Sequence, residues 1–266
     1  MGSIGIIVGE DADLPKDLIK NLPVAIFPFV VIEGKTSQPS PKILEELFIK
    51  NLKIYKDLLI ITISSFLSGT YNSATQAKNL INIDDRKRIN IIDSKISTGG
   101  EGLIVLKIIE ELKKNSKLSV DALLKRADKF ILSTHLLGVF DDPYFLQRGG
   151  RINNVQALVI KNMLRAGFRP ILTVKDGKIK TKKIQRERNK AKALFAEFYD
   201  STLEVEPQKI SVAITHFDCE EEAFVLKNLV QKYNKNIKIE YVNTISPVVG
   251  AHLGPGSLIL SFIENE

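Results

Sequence analysis

The strongest constraint on the fold is the apolar run Leu58-Leu59-Ile60-Ile61-Thr62-Ile63, together with the turn that follows it. The run is too short to cross a membrane and is rich in β-branched residues, so it predicts a buried strand. A small-residue turn, Ser64-Ser65-Phe66-Leu67-Ser68-Gly69-Thr70-Tyr71, leads from it towards a helical pattern. The same rhythm fills the first part of the chain. Further strands are predicted at Ile4–Val8, Val24–Ile32 and Ile89–Asp93, with Pro28 favouring an edge or a bulge in the second. Helices are predicted at Pro15–Asn21, Pro41–Asn51, Ala74–Ile81 and Gly102–Asn115, with Asp13 and Ser40 as N-caps of the first two. Strand–helix alternation of this kind implies a mostly parallel sheet covered by helices. Ligands of such sheets bind at the carboxyl ends of the strands, where Ser64–Thr70 and Asp93-Ser94 fall.

The second part of the chain has a different pattern. Pro170–Val174 and Lys178–Thr181 flank Asp176-Gly177, a strong hairpin signal. Helices are expected at Glu187–Asp200 and Glu220–Tyr233, and strands at Lys209–Thr215, Ile237–Val242 and Ser257–Ile263. The fold class is therefore α/β, with two α/β domains: the first a mostly parallel sheet covered by helices, the second with a more antiparallel sheet. A chain of 266 residues has room for both. The expected division lies near Ile152–Ala157, giving domains 1–155 and 156–266.

Composition narrows the function classes. The N-terminus lacks a basic lead and a long apolar segment, so the expectation is a cytoplasmic protein without a signal peptide. A net charge of +7 admits nucleic acid, an anionic membrane surface or simply a solvated lysine-rich face. The densest basic stretch, Lys178 to Lys192, carries no aromatic residue, so no nucleic-acid partner is expected. Cys219 is the only cysteine, which excludes an internal disulfide and a cysteine zinc site. Asp218 and Glu220 beside it raise its pKa and argue against a nucleophile. His135, His216 and His252 are too dispersed for a zinc signature, so no metal and no cofactor are expected.

Two hydroxyl clusters, Thr36-Ser37-Gln38-Pro39-Ser40 and Ser64–Thr70, are the candidate site. The first reads as a ligand loop or as a turn capped by Ser40. The second reads as a nucleophile turn, a phosphate loop, a carboxylate site, or a small-residue turn that permits close helix packing. It is neither G-x-S-x-G nor a P-loop. His252 lies in Gly250-Ala251-His252-Leu253-Gly254-Pro255-Gly256, a constrained loop that favours a site role. His216 ends a strand, and His135 has an apolar setting that favours a structural role. A Ser68–His252–Asp93 triad would lack the elbow that exposes a nucleophilic serine.

An ordered set of motifs resembles the DegV family of bacterial fatty-acid-binding proteins, the acyl-carrier subunits of a fatty acid kinase. The matching pieces are Asp13-Leu14-Pro15, Thr36–Ser40, Ile63–Tyr71, Asp93-Ser94, Arg148-Gly149-Gly150-Arg151-Ile152, Arg186 with the basic helix after it, and Gly250–Gly256. Two departures stand out. Gly9-Glu10 replaces the family's usual Asp-Ser pair, and Ile32-Glu33-Gly34-Lys35 runs straight into Thr36 where the family has a longer segment. The resemblance implies a non-enzymatic carrier that binds a long-chain fatty acid between the two domains. It would present the carboxylate to a separate ATP-dependent kinase, which makes the acyl phosphate. Thr36 and Ser68 would bond the carboxylate, with Ser65 in the same turn. His252 would complete the network, and Arg186 would sit near the head group or the kinase-docking face. Transient contact with an anionic membrane fits the charge. The alternative from another class is a serine hydrolase of a lipid or ester, using Ser68 or Ser65.

Overall fold

The first part of the chain pairs its strands in parallel, as the alternation requires. The computed structural model describes residues 2–32 and 35–265; the expected Glu33-Gly34 connection lies outside them. The elements are, in order, β1 (Gly2–Gly9), α1 (Lys16–Ile19), β2 (Val24–Phe27), β3 (Val30–Ile32), β4 (Lys35–Ser37), α2 (Pro41–Leu52), β5 (Tyr55–Thr62), α3 (Thr70–Leu80), α4 (Ile83–Arg86), β6 (Ile89–Asp93), α5 (Thr98–Lys114) and α6 (Val120–Leu132). A four-stranded sheet forms in the order β2-β1-β5-β6, every pair parallel. The single strand expected over Val24–Ile32 breaks at Pro28, which has no N–H to give a ladder. Its second half folds back as β3 to form a two-stranded ribbon with β4, placing Val31 opposite Thr36.

The rest of the chain comprises β7 (Thr134–Val139), α7 (Tyr144–Arg148), α8 (Asn154–Arg165), β8 (Arg169–Lys175), β9 (Lys178–Gln185), α9 (Lys190–Thr202), β10 (Ile210–Phe217), α10 (Glu220–Tyr233), β11 (Lys238–Thr244), α11 (Pro247–Leu253) and β12 (Ser257–Glu264). Six strands pair in the order β11-β10-β12-β7-β8-β9. Only β10–β11 is parallel, so this sheet is mostly antiparallel. The β8–β9 hairpin forms as the Asp176-Gly177 signal requires. Sheet membership changes between β6 and β7: β7 precedes residue 155 yet pairs with β12 in the second sheet.

Helix α5 lies between the two sheets, touching β5 on one side and β7, β10 and β12 on the other. Leu103, Ile104, Val105 and Ile108 are buried there with Val8 of β1 and Ile259 of β12. Each such side chain contributes about 1.5–3 kcal/mol by leaving water. Glycine makes the fit possible: a Cβ on Gly102 would fall 2.1 Å from the Tyr241 hydroxyl. The opposite face of the parallel sheet is covered by α2 and α3 around Phe27, Leu44 and Phe48. The outer face of the mixed sheet is covered by α9 and α10 around Phe198 and Leu226. The result is a layered helix–sheet–helix–sheet–helix arrangement.

Local expectations fared unevenly. Ser40 caps α2, accepting from the Ile43 N–H at 3.3 Å, with Pro41 in the first turn. Asp13 does not cap α1; it adopts a left-handed conformation (φ 51°), and its carboxylate accepts from the Ser246 N–H at 2.7 Å. Burial raises its pKa well above the usual carboxylate range. Helix α5 begins at Thr98, ahead of the predicted Gly102, and α9 begins at Lys190, after the predicted Glu187.

Candidate functional site

Two strand ends and two short helices converge on one cavity. Strand β5 ends at Thr62, and the turn after it carries Ser68 to the start of α3. Ser68 Oγ is hydrogen-bonded to Thr70 Oγ1 at 2.9 Å. The N-cap of α3 is Gly69, which offers no side chain, and the Thr70 N–H donates to Ser68 Oγ at 3.4 Å, so Ser68 stands at a helix start where an anion is favoured. Gln38, two residues beyond Thr36, donates from Nε2 to Ser73 Oγ at 2.9 Å and so fixes the hydroxyl loop to α3.

Thr36 is the inward residue of β4, half-buried between exposed Lys35 and Ser37. Its Oγ1 is hydrogen-bonded to His252 Nε2 at 2.7 Å, a contact between residues 216 positions apart. His252 was expected in a loop, but it sits in the last turn of α11, started by Pro247 and ended by Gly254 in a positive-φ conformation. Burial, followed by the charges of Arg151 and Arg148, pushes its pKa down to about 4. The ring is therefore neutral near pH 7.

Arg151 completes the mouth of the cavity. Its Nε donates to the Leu67 carbonyl at 2.9 Å, and Nη1 donates to the Gly149 carbonyl. It is half-buried and forms no ion pair among the described residues, so a partly buried positive charge lines the cavity that holds the hydroxyls. Behind this polar mouth the walls are mostly apolar: Phe140, Leu146, Leu172, Val174, Ile179 and Ile259 line the same cavity, with Asp11 and Ser97 among the polar exceptions. An uncompensated guanidinium, two hydroxyls and a neutral imidazole above an apolar space suit an amphiphilic anion.

The structure brings Thr36, Ser68 and His252 to this cavity. It does not bring Ser65 or Arg186 there. Ser65 is exposed, and its N–H donates to Asp93 Oδ1 at 3.1 Å. Its neighbour Ser64 is the buried one, with Oγ donating to the Gly177 carbonyl at 2.7 Å and so joining the first sheet's turn to the β8–β9 hairpin. Arg186 is exposed and lies over the Phe168 ring at 5.3 Å. Sequence reading assigned no role to Arg151; the Arg148-Gly149-Gly150-Arg151 pattern was its only signal. Among the remaining candidates, His135 stacks on Phe262 and His216 is buried at the end of β10. Burial, with the Glu222 charge, raises Cys219 to about 11, and its Sγ donates to the Ser257 carbonyl.

Ser68, His252 and Asp93 do not form a relay among the described residues. His252 bonds Thr36 rather than Ser68, and Asp93 is engaged by the Ser65 and Lys95 N–H groups and the Lys95 ammonium. The three members of the conceivable triad thus make separate contacts. Among the described residues, no group of three or more His, Cys, Asp or Glu is placed to hold a metal ion.

Comparison with known proteins adds the family. A model described as an uncharacterised protein of the DegV family matches residues 33–265. Protein DegV of Bacillus subtilis is 32% identical over 226 residues, covering 84% of this chain and 76% of that protein. A protein of Thermotoga maritima named fatty acid-binding protein is 28% identical over 228 residues, covering 84% of this chain and 75% of its own length. Among solved structures, a stearic acid-binding protein of Eubacterium ventriosum superposes with a TM-score of 0.87 at 24% identity, covering 98% of each chain.

Proposed function

We propose, from the premise that the chain belongs to the DegV family, that it binds one long-chain fatty acid in this cavity and presents the carboxylate to a separate ATP-dependent kinase subunit for acyl-phosphate formation. The observation that carries the reading is the Thr36–His252 hydrogen bond in an apolar cavity also lined by Arg151, which has no counter-ion among the described residues. Relatives named for fatty acid binding support the ligand class.

The energetics divide the work. Burying roughly fifteen methylenes contributes about 12 kcal/mol before the costs of binding. A hydroxyl hydrogen bond adds only about 1 kcal/mol. The tail therefore holds the ligand, and Thr36, Ser68 and Arg151 orient its head. A fatty carboxyl titrates near 4 to 5 in water, so it arrives ionised and His252 has no proton to remove. The neutral ring positions the Thr36 hydroxyl. The protein itself does no bond-making in this account, and exposed Arg186 is left for the kinase encounter.

The test is to load the protein with oleate, add a bacterial fatty acid kinase subunit with ATP, and trap acyl phosphate with hydroxylamine. Trapped product that requires both proteins supports the reading. Covalent labelling of Ser68 or Ser65 by a fluorophosphonate, with ester hydrolysis and no acyl phosphate, would replace it with the hydrolase alternative.

A further inference from the structure

We infer that the cavity is built for an acyl chain bearing a hydrogen-bonding oxygen along its length, a hydroxy fatty acid, recognised there by Asp11 and Ser97; this rests on the fatty-acid reading above. Both residues line the same cavity as Thr36 and Ser68. Asp11 is 1% exposed, and its carboxyl oxygens find no hydrogen-bond partner beyond the residue's own N–H among the described residues. Ser97 is 8% exposed and stands at the N-cap of α5 without making a side-chain cap bond. Thr98 beside it holds a left-handed backbone (φ 52°) and buries an unpartnered hydroxyl. Buried polar groups without partners are rare, and a saturated chain passing Asp11 and Thr98 would leave them so.

The carboxyl occupies this place because Gly9 has no side chain. A Cβ on Gly9 would lie 1.9 Å from Asp11 Oδ1. Burial also raises its pKa to about 7, so near neutral pH a substantial share of Asp11 carries a proton. Glu101, fully buried on the first turns of α5, is raised as well, by burial and then by Asp11 and Asp13. A protonated carboxyl can donate and accept, so it can bond a chain hydroxyl in either sense. In neither form would it attract a carboxylate, which leaves the acid head at Arg151 and places the second oxygen elsewhere on the chain. The acidic group is no cation site, since no metal-holding set occurs among the described residues.

The experiment uses the full chain stripped of lipid and measures displacement of a fluorescent fatty acid by stearic acid and by stearic acids hydroxylated at carbon ten or carbon twelve. At least one hydroxy acid should bind about tenfold tighter than stearic acid, a difference of about 1.4 kcal/mol. Asp11→Leu should reverse that order, Asp11→Asn should keep most of it, and Ser97→Ala should reduce it. If Asp11→Leu does not fold, the wild-type ranking and Ser97→Ala decide. Stearic acid equal to or better than both hydroxy acids in the wild type overturns the inference while leaving the fatty-acid reading intact; water then satisfies Asp11 and Ser97. If none of the three acids displaces the probe, the fatty-acid reading fails first and this inference falls with it.

Discussion

Gly149→Ala should separate ligand orientation from folding. Gly149 ends α7 at φ −75°, a right-handed conformation that alanine adopts without strain. A Cβ built there would lie 2.2 Å from His252 Nδ1 and 3.0 Å from Cε1. Ordinary contacts between such atoms are about 3.5 Å, so the ring has to retreat by roughly 1.3 Å. The Thr36–His252 bond is 2.7 Å long, and hydrogen bonding fails beyond about 3.5 Å. The push acts on the Nδ1 edge and drives the opposite edge, with Nε2, at Thr36, so the ring has to swing aside and the 2.7 Å bond cannot keep its geometry. Losing it costs about 1 kcal/mol, which lowers fatty-acid affinity by about five- to tenfold. Alanine also restricts the unfolded chain, offsetting about 0.4–1 kcal/mol, so the ligand-free melting temperature should move by only a few degrees. Displacement titration reads the affinity, thermal melting reads the fold, and the His252 ring signals in a proton–nitrogen correlation spectrum read the displacement. Wild-type affinity with an unshifted ring would refute the claim that His252 holds Thr36 for the ligand.

Arg151→Met removes the cavity's cation, which has no counter-ion among the described residues, while keeping much of its stem. Charge-assisted bonds are worth about 1.5–3 kcal/mol, so the preference for oleate over its methyl ester should fall at least tenfold; an unchanged preference places the anion elsewhere. Asp11 has a folded pKa raised from 3.8 to about 7. A raised carboxyl contributes stability that is complete below the unfolded pKa and lost as pH rises through the folded one. Urea midpoints of Asp11→Asn should therefore gain on those of the lipid-free wild type between pH 4 and 7, and parallel profiles would refute the assignment. His252, depressed from 6.5 to about 4, acts in the opposite sense in both proteins, its contribution being lost as pH falls through that window. Gly177→Val forces a β-branched residue into φ 80° and a Cβ to within 2.7 Å of Ser64 Oγ. It should cost about 2–3 kcal/mol of stability, measured by urea unfolding; a loss under 1 kcal/mol would mean the hairpin tip docks loosely.

The legible parts of this molecule are those where local pattern and tertiary need agree. Leu58–Ile63 reads as a strand because burial on both faces demands continuous apolar residues, and the switch to small hydroxyls marks its carboxyl end. Ser40 with Pro41 reads as a helix start because capping is local. The β8–β9 hairpin was visible in Asp176-Gly177 because its turn requires positive φ, which both residues adopt. What stayed hidden depends on distant partners. Strand β7 contains His135 and Gly138 and was not predicted; it holds because β12 and β8 flank it. The Val24–Ile32 run has strand composition throughout, and its break at Pro28 is set by where the ribbon must deliver Thr36. Arg151 follows two glycines in a segment without apolar periodicity, so nothing local marks its role; the missing counter-ion becomes visible only once the chain is folded. Asp11 looks like one acid among several in Glu10-Asp11-Ala12-Asp13, and only packing against α5 buries it.

The central claim is that this cavity holds a fatty acid. Its most direct measurement is mass spectrometry of an organic extract from natively purified protein, quantified against the amount of chain. One long-chain fatty acid per chain in the wild type, with a reduced yield from Arg151→Met, is the predicted result. A lipid-free extract, together with a melting temperature that does not rise on adding stearate or oleate, would contradict it.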